Sequence, residues 1–441
     1  MLAFLNTFLS KSIWRIRLTS QTLSVCEVGF EQKPKKEYFM RIVGLIAEYN
    51  PFHNGHKYHI EKAKELANAD YAIVVMSGNF VQRGAPAIMP KHLRAATALK
   101  CGADLVIELP LCYATGTAEQ FAYGAVSMLD KLGCVDAICF GSECGDIEPL
   151  KSLAKILCDE PAEYKENLQF NLRSGMSFPL ARQKAIQAVC DSSHLKELLE
   201  QPNNILGIEY LKALYRLKSE IEPLTIQREV SRYHDAKLQE QFSSASELRH
   251  TSEKECFASL YGQIPSDCKS ILEEGYKVRY PVCANDFSLL LKYKLLNETS
   301  STLIDYADVS EELANRIYNR LNDYVSFDQF CELLKTKEIT YTRISRALIH
   351  ILLGVKKSNY VEIKYARVLG FRKNSSDLLA YIKKTSSLPL ISKLSSSDNF
   401  AEHAKRMLGI DVFASNLFES VVTEKFKTPF INELQQAIKI I

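Results

Sequence analysis

A Rossmann-like, doubly wound parallel α/β sheet, followed by a mostly helical C-terminal half, is the fold this sequence predicts. Three observations carry the prediction. From Arg41 onward, short apolar runs alternate with longer amphipathic segments, which is the pattern of βαβ units. The unusual loops fall where a strand ends and a helix begins, the ligand-binding edge of such a sheet. Beyond about residue 250 the alternation stops, and Leu, Ile, Lys, Glu and Tyr recur at helical spacing.

Taken in order, strands are predicted at Ile42 to Ala47, Tyr71 to Met76, Asp104 to Glu108 and Ala137 to Phe140. Helices are expected between them near 56–68, 90–101 and 116–132. Helical segments follow between 147 and 217, then a strand at Leu224 to Arg228 and a helix opening at Ser244-Ala245-Ser246. Turns in the helical half are signalled by Tyr280-Pro281 and Asn374-Ser375-Ser376. The expected organisation is a poorly ordered N-terminal extension over 1–39, a nucleotide-binding catalytic domain over 40–250, and a helical, basic domain over 251–441. Positions 1–26 carry Lys11, Arg15 and Arg17 without an acidic residue, but lack a clear apolar core and cleavage site, so they read as an upstream extension rather than a signal.

Composition excludes several classes. The chain has 441 residues, 24% charged and 46% hydrophobic, as an ordinary globular protein does. No apolar run reaches membrane-spanning length. Twelve cysteines occur without any C-x-x-C pair, which points to reduced thiols in the cytoplasm rather than disulfides or zinc. A net charge of +3 is too small to prove a polyanionic partner, so that argument rests on where the charges sit.

The chemistry begins in the first strand-to-helix loop, Glu48-Tyr49-Asn50-Pro51-Phe52-His53-Asn54-Gly55-His56. Pro51 restricts the residue before it, and Gly55 lets backbone approach a ligand closely. A helix starting there aims its free N–H groups at whatever fills the loop. His53 and His56, three residues apart, can both donate hydrogen bonds to a phosphoryl group as its charge grows. With His59 the set also has metal-ligand spacing, but no local carboxylate or cysteine completes it, so no metal site is predicted. H-x-G-H after a first strand resembles the signature of the nucleotidylyltransferase superfamily, whose chemistry is attack on the α-phosphate of ATP. Such a site needs a second phosphate contact, and Ser244, Ser246 and Arg249 resemble its serine-rich element; taken alone, serine before a helix is usually just a cap.

Four phrases then occur in order: Val43 to His56, Met76-Ser77-Gly78-Asn79-Phe80-Val81-Gln82-Arg83-Gly84, Phe140-Gly141-Ser142-Glu143 and Pro202-Asn203-Asn204-Ile205-Leu206-Gly207. Together with Tyr341-Thr342-Arg343-Ile344 and Tyr365 to Phe371, they resemble the bacterial tRNA(Met) cytidine acetate ligase family over residues 40 to 441. The resemblance implies an ATP-dependent enzyme that forms acetyl-adenylate from acetate. It then acetylates the exocyclic amine of the wobble cytidine in elongator methionine tRNA, leaving N(4)-acetylcytidine, AMP and pyrophosphate. Mg²⁺ is expected with the ATP. Carried over by position, the ATP-binding residues are Ile46, Ala47, Glu48, Tyr49, Asn50, Pro51, Phe52, His53, Asn54, Gly55, His56, Lys57, Tyr58 and His59, with Gly141, Asn203 or Asn204, and Arg228. Each asparagine can equally start the helix that follows it, and Arg228 can equally form a surface ion pair. Two features depart from the family: Glu247 puts negative charge inside the phosphate element, and residues 1–39 have no counterpart.

For tRNA, the stretch from Lys335 to Asp377 holds ten Lys or Arg against three acids, with Tyr341, Tyr360, Tyr365 and Phe371 interleaved. Arg343, Arg346, Lys364 and Arg367 from this tract, with Arg83 from the glycine-flanked loop, are the expected tRNA contacts. A solvated helical face with core tyrosines is the competing reading. Two other functions stay open: a small-molecule adenylyltransferase joining AMP to a phosphate-bearing acceptor, and a non-enzymatic nucleotide or RNA binder.

Overall fold

The computed structural model describes residues 40–176, 178–189, 195–228, 262–394 and 400–441. Two expectations, the extension over 1–39 and the Ser244, Ser246 and Arg249 element, lie outside those residues.

Short β-branched and apolar runs form the strands, and helices cover them on both faces. The first two are β1 (Ile42–Ala47) and β2 (Tyr71–Ser77), the latter buried at every residue after its first. A small antiparallel hairpin follows, β3 (Phe80–Val81) with β4 (Ala85–Pro86). The sheet continues with β5 (Leu105–Leu109), β6 (Ala137–Ser142) and β7 (Glu222–Gln227). Its remaining strands are β8 (Ala366–Phe371), β9 (Leu390–Ile391) and β10 (Lys439–Ile440).

The strand order is β10-β8-β5-β2-β1-β6-β7, with β9 paired to β8. From β1 the chain winds outward through β2 to β5, then returns to the other side for β6 and β7, all parallel. The direction reverses between β1 and β6, so the crevice beyond their carboxyl ends is where such a sheet takes a ligand. Helix Asn54–Leu66 follows β1, Lys91–Lys100 precedes β5, and Ala118–Lys131 precedes β6. These elements match the predicted ones to within a few residues. Strand β5 starts after Asp104 because that carboxylate is committed, accepting from Ala72 N at 2.8 Å and from Lys64 Nζ at 2.6 Å.

The sheet is mixed rather than purely parallel. β8 runs antiparallel to β5, with a register shift between Val106 and Ile107, and β10 pairs with β8. The helical half therefore completes the sheet of the first half, and Met40–Ile441 is one compact unit. Most of that half is helical as expected, including Glu311–Arg320, Phe327–Leu334, Tyr341–Leu353 and Glu402–Phe426. The first three are capped by the hydroxyls of Ser310, Ser326 and Thr340, which satisfy backbone donors the helix leaves free. Among the described residues no helix is long and apolar enough to cross a membrane.

Candidate active site

The loop leaving β1 is built to present two imidazoles. Tyr49 takes a left-handed backbone (φ +48°) and the Asn50–Pro51 bond is cis. Asn50 Oδ1 accepts from Ile88 N at 2.7 Å, and the Tyr49 ring lies edge-on to Phe52 and His56, with centroids 4.8 and 4.9 Å away. Tyr49, Asn50 and Phe52 are buried, so what they offer a nucleotide is backbone. His53 then caps the Asn54–Leu66 helix. Its Nδ1 accepts from Gly55 N at 3.1 Å, while His56 Nδ1 accepts from His53 N at 3.3 Å. The rings stack with centroids 3.8 Å apart and planes 29° from parallel.

Those backbone bonds fix the tautomer. An Nδ1 that accepts must carry its proton on Nε2, so both histidines offer a donor to the crevice. Burial, reinforced by Arg228, lowers the His53 pKa to about 4. Burial, then His53 and Arg228, hold His56 well below the usual imidazole range. His59 falls to about 4 for the same reasons, burial first, and its buried Nε2 has no hydrogen-bond partner among the described residues. At neutral pH the pair is uncharged, two N–H dipoles at the positive end of a helix. Asn54 and Lys57 are held from outside: Asn54 N and Nδ2 donate to Gln263 O (2.9 Å) and Gly262 O (3.0 Å), and Lys57 Nζ meets Asp267 at 2.7 Å.

The opposite wall comes from β6, β7 and the Pro202–Leu217 helix. Gly141, Arg228 and one asparagine of the Pro202-Asn203-Asn204 turn were expected to line the nucleotide, and they come together here. Arg228 NH1 donates to Asn203 Oδ1 at 3.2 Å, and a Cβ on Gly141 would stand 2.9 Å from Arg228 Cγ, so the arginine stem lies across the glycine. Asn203 is half-buried, whereas Asn204 is 2% exposed and committed to the fold. Asn204 Oδ1 accepts from Glu143 N (2.9 Å) and Cys144 N (3.2 Å). Glu143 returns the favour to the helix start, accepting from Asn203 Nδ2 at 2.6 Å and Asn204 N at 2.8 Å. Its orienting role had no signal in the sequence beyond an acidic residue after a strand. Among the described residues no group of three His, Cys, Asp or Glu side chains could hold a metal ion.

Residues 40–432 match the family model described as HIGH Nucleotidyl Transferase. The chain belongs to that family. A relative from Thermoanaerobacter sp. strain X514, named tRNA(Met) cytidine acetate ligase, is 45% identical over 383 residues, covering 86% of this chain and 95% of its own. One of the same name from Clostridium novyi is 44% identical, covering 80% and 90%. The crystal structure of Thermotoga maritima TmcAL bound with alpha-thio ATP superposes with a TM-score of 0.83 at 32% identity, over 91% of this chain and 100% of that one.

In this HIGH-family chain the predicted tRNA contacts separate. Arg83 is exposed on the loop between β3 and β4, and that loop packs on the Tyr341–Leu353 helix. Gly84 (φ +73°) leaves no room for a side chain against the Arg346 backbone, and its carbonyl accepts from Ser345 Oγ at 2.6 Å. Arg83 and Arg343 therefore belong to neighbouring elements. Arg346 is instead spent on Asp308, its Nε and NH2 donating at 2.9 and 3.1 Å. Lys364 is exposed beside Glu362 at 2.5 Å.

Arg367 contradicts the expectation of a tRNA contact. It is 4% exposed on β8, ion-paired with Glu433 and, at 3.1 Å, with Glu108. Lys91, with no exposure, joins the same cluster at 2.6 Å from Glu108 and 3.0 Å from Glu433. A cation on a strand covered on both faces must be neutralised in place, which removes it from the surface. The aromatic residues also depart from a stacking role: Tyr365 is fully buried with its hydroxyl on Asp411 at 2.8 Å, and Tyr360 packs edge-on to Tyr113.

Proposed function

We propose that this chain is an ATP-dependent tRNA(Met) cytidine acetate ligase. The observation that carries the proposal is the stacked pair of neutral imidazoles at a helix N-terminus, facing Asn203 and Arg228 across the switch point of the sheet. The near full-length similarity to relatives of that name supports the substrate assignment.

Acetate is a poor electrophile and must first become a mixed anhydride. One of its oxygens attacks the α-phosphorus of ATP, the bond to the bridging oxygen breaks, and pyrophosphate leaves. His53 and His56 donate from Nε2 to oxygens whose charge rises in that transition state, in a position set before the reaction starts. Arg228 neutralises phosphate and Asn203 reads the ribose or base edge; Gly141 lets the arginine stem lie flat. Mg²⁺ bound with the ATP would neutralise charge on the departing pyrophosphate. The cytidine amine then attacks the acetyl carbonyl, the bond to AMP breaks, and the amine loses a proton. Neutral histidines suit this sequence because neither step asks them to carry a charge. Arg83, Arg343 and Lys364 meet the tRNA backbone.

The test is to incubate the protein with ATP, acetate and bulk tRNA, measure pyrophosphate, and analyse the tRNA nucleosides by mass. Acetate-dependent release with acetylcytidine in methionine tRNA is the expected result. Release that depends on a small phosphate-bearing acceptor rather than acetate would replace this reading with a small-molecule adenylyltransferase, and ATP binding without release would leave a non-enzymatic binder.

A further inference from the structure

Arg94, on the Lys91–Lys100 helix, is the largest fully buried side chain among the described residues. Its guanidinium serves main-chain carbonyls. Nε donates to Met89 O at 3.1 Å, NH1 to Glu48 O at 2.5 Å and Ser77 O at 3.1 Å, and NH2 to Gly78 O. Burial lowers its pKa only to about 10, so it is charged at neutral pH. Placing a cation on carbonyls inside a core is costly, and an apolar side chain would fill the same space. What the arginine does that an apolar side chain cannot is to hold the end of β1 and the end of β2 in one planar fork.

The two loops so joined lie on one side of the switch point. Glu48 opens the histidine loop, and Gly78 opens the loop that runs through Arg83 to Gly84. One peripheral bond also links the two loops, Glu48 Oε1 accepting from Gln82 N at 2.9 Å, and Asn79 Oδ1 ties the second loop to its neighbouring helix by accepting from Lys91 N at 2.7 Å. Gly141, Asn203 and Arg228, assigned above to the nucleotide, stand on the other side, at β6 and β7. The histidines and Arg228 thus reach the nucleotide from different strands.

We propose that Arg94 is a positioning residue for the first chemical step, fixing the separation of the histidine loop and the Gly78–Gly84 loop. It sets the turnover of acyl-adenylate formation far more than the affinity for ATP. The inference rests on the acetate ligase reading, and the experiment separates the two.

Arg94→Lys keeps the charge but cannot reach carbonyls of four residues. Gly78→Ala leaves Arg94 in place and displaces the carbonyl, because its Cβ would stand 2.5 Å from Glu108 Oε1, a carboxylate itself pinned by Lys91. For each full-length variant, folding is checked by circular dichroism, ATP affinity by calorimetry, and kcat and KM by acetate-dependent pyrophosphate release. We expect folded proteins with ATP affinity within about threefold of the parent and kcat lower by about 100-fold, the size expected of an ångström-scale misplacement. A folded variant whose kcat stays within about threefold, or whose ATP affinity falls as far as its kcat, overturns the proposal. If Arg94→Lys does not fold, Gly78→Ala decides alone. A parent protein that releases no pyrophosphate with acetate refutes the ligase reading instead.

Discussion

The histidine loop and the basic tract over 335–377 were both conspicuous in the sequence, yet they behave differently in the fold. In the loop, spacing carries the meaning: a residue in the cap position and one three later necessarily share a helix end, so His53 and His56 meet wherever the helix goes. In the tract, only composition carried the meaning. Its residues are distributed over a helix, a strand and the turns between, and Arg367 goes to the interior while Arg343 stays on the partly exposed helix. A local motif survives folding intact; a charge count does not.

The strongest way to break that contrast is Arg367→Ala. It leaves the carboxylates of Glu108 and Glu433 short of a cation inside the core, and we expect a loss of about 3–5 kcal/mol in urea unfolding. A neutral result would return Arg367 to the surface. On the other side of the comparison, His56→Ala removes one donor from the crevice. Its kcat for pyrophosphate release should fall by about 10²–10³, with the protein folded. Arg228→Ala sharpens the division within the crevice: losing a charge-assisted contact of about 1.5–3 kcal/mol should raise the KM for ATP by roughly tenfold or more, with a smaller change in kcat. The smallest effect belongs to the surface. Arg343→Glu should weaken tRNA binding by a few-fold in filter binding, most clearly at low salt, and leave ATP affinity and stability unchanged.

The histidines also make a pH prediction. A free imidazole titrates near 6.5, whereas folded His53 holds a proton only below about 4, because of burial and then Arg228. Between those values the unfolded chain binds more protons, so this contribution to stability is complete above pH 6.5 and drains away as the pH falls toward 4. In kcat/KM for ATP, which reports on the free enzyme and free substrate, no ionisation of His53 or His56 should appear between pH 6 and 8, once the ionisation of ATP itself is allowed for. A loss of activity on raising the pH through 6.5 would mean that a charged imidazole is required.

Much of the fold was legible because its signals are local. Ile42–Ala47, Tyr71–Ser77 and the Asn54–Leu66 helix announce themselves by period and by the punctuation of Pro51 and Gly55. The antiparallel β8 was not legible as a strand, since six residues between helices, one of them an arginine, give too short a pattern to separate from a buried turn of helix. In the site, Asn203 and Asn204 are identical in sequence terms; only the fold shows one beside Arg228 and the other inside the Glu143 turn. Arg94 was invisible for a further reason. A helix reading Lys-His-Leu-Arg looks like a solvated face, and only long-range contacts bury it.

If the histidine loop and the Arg228 wall together activate acetate, with the helical half concerned in presenting tRNA, activation needs no tRNA. Exchange of labelled pyrophosphate into ATP, with acetate present and tRNA absent, tests this most directly. We predict acetate-dependent exchange in the parent protein and in Arg343→Glu, and its loss in His56→Ala. Exchange that persists in folded His56→Ala, or that never responds to acetate, would contradict the account.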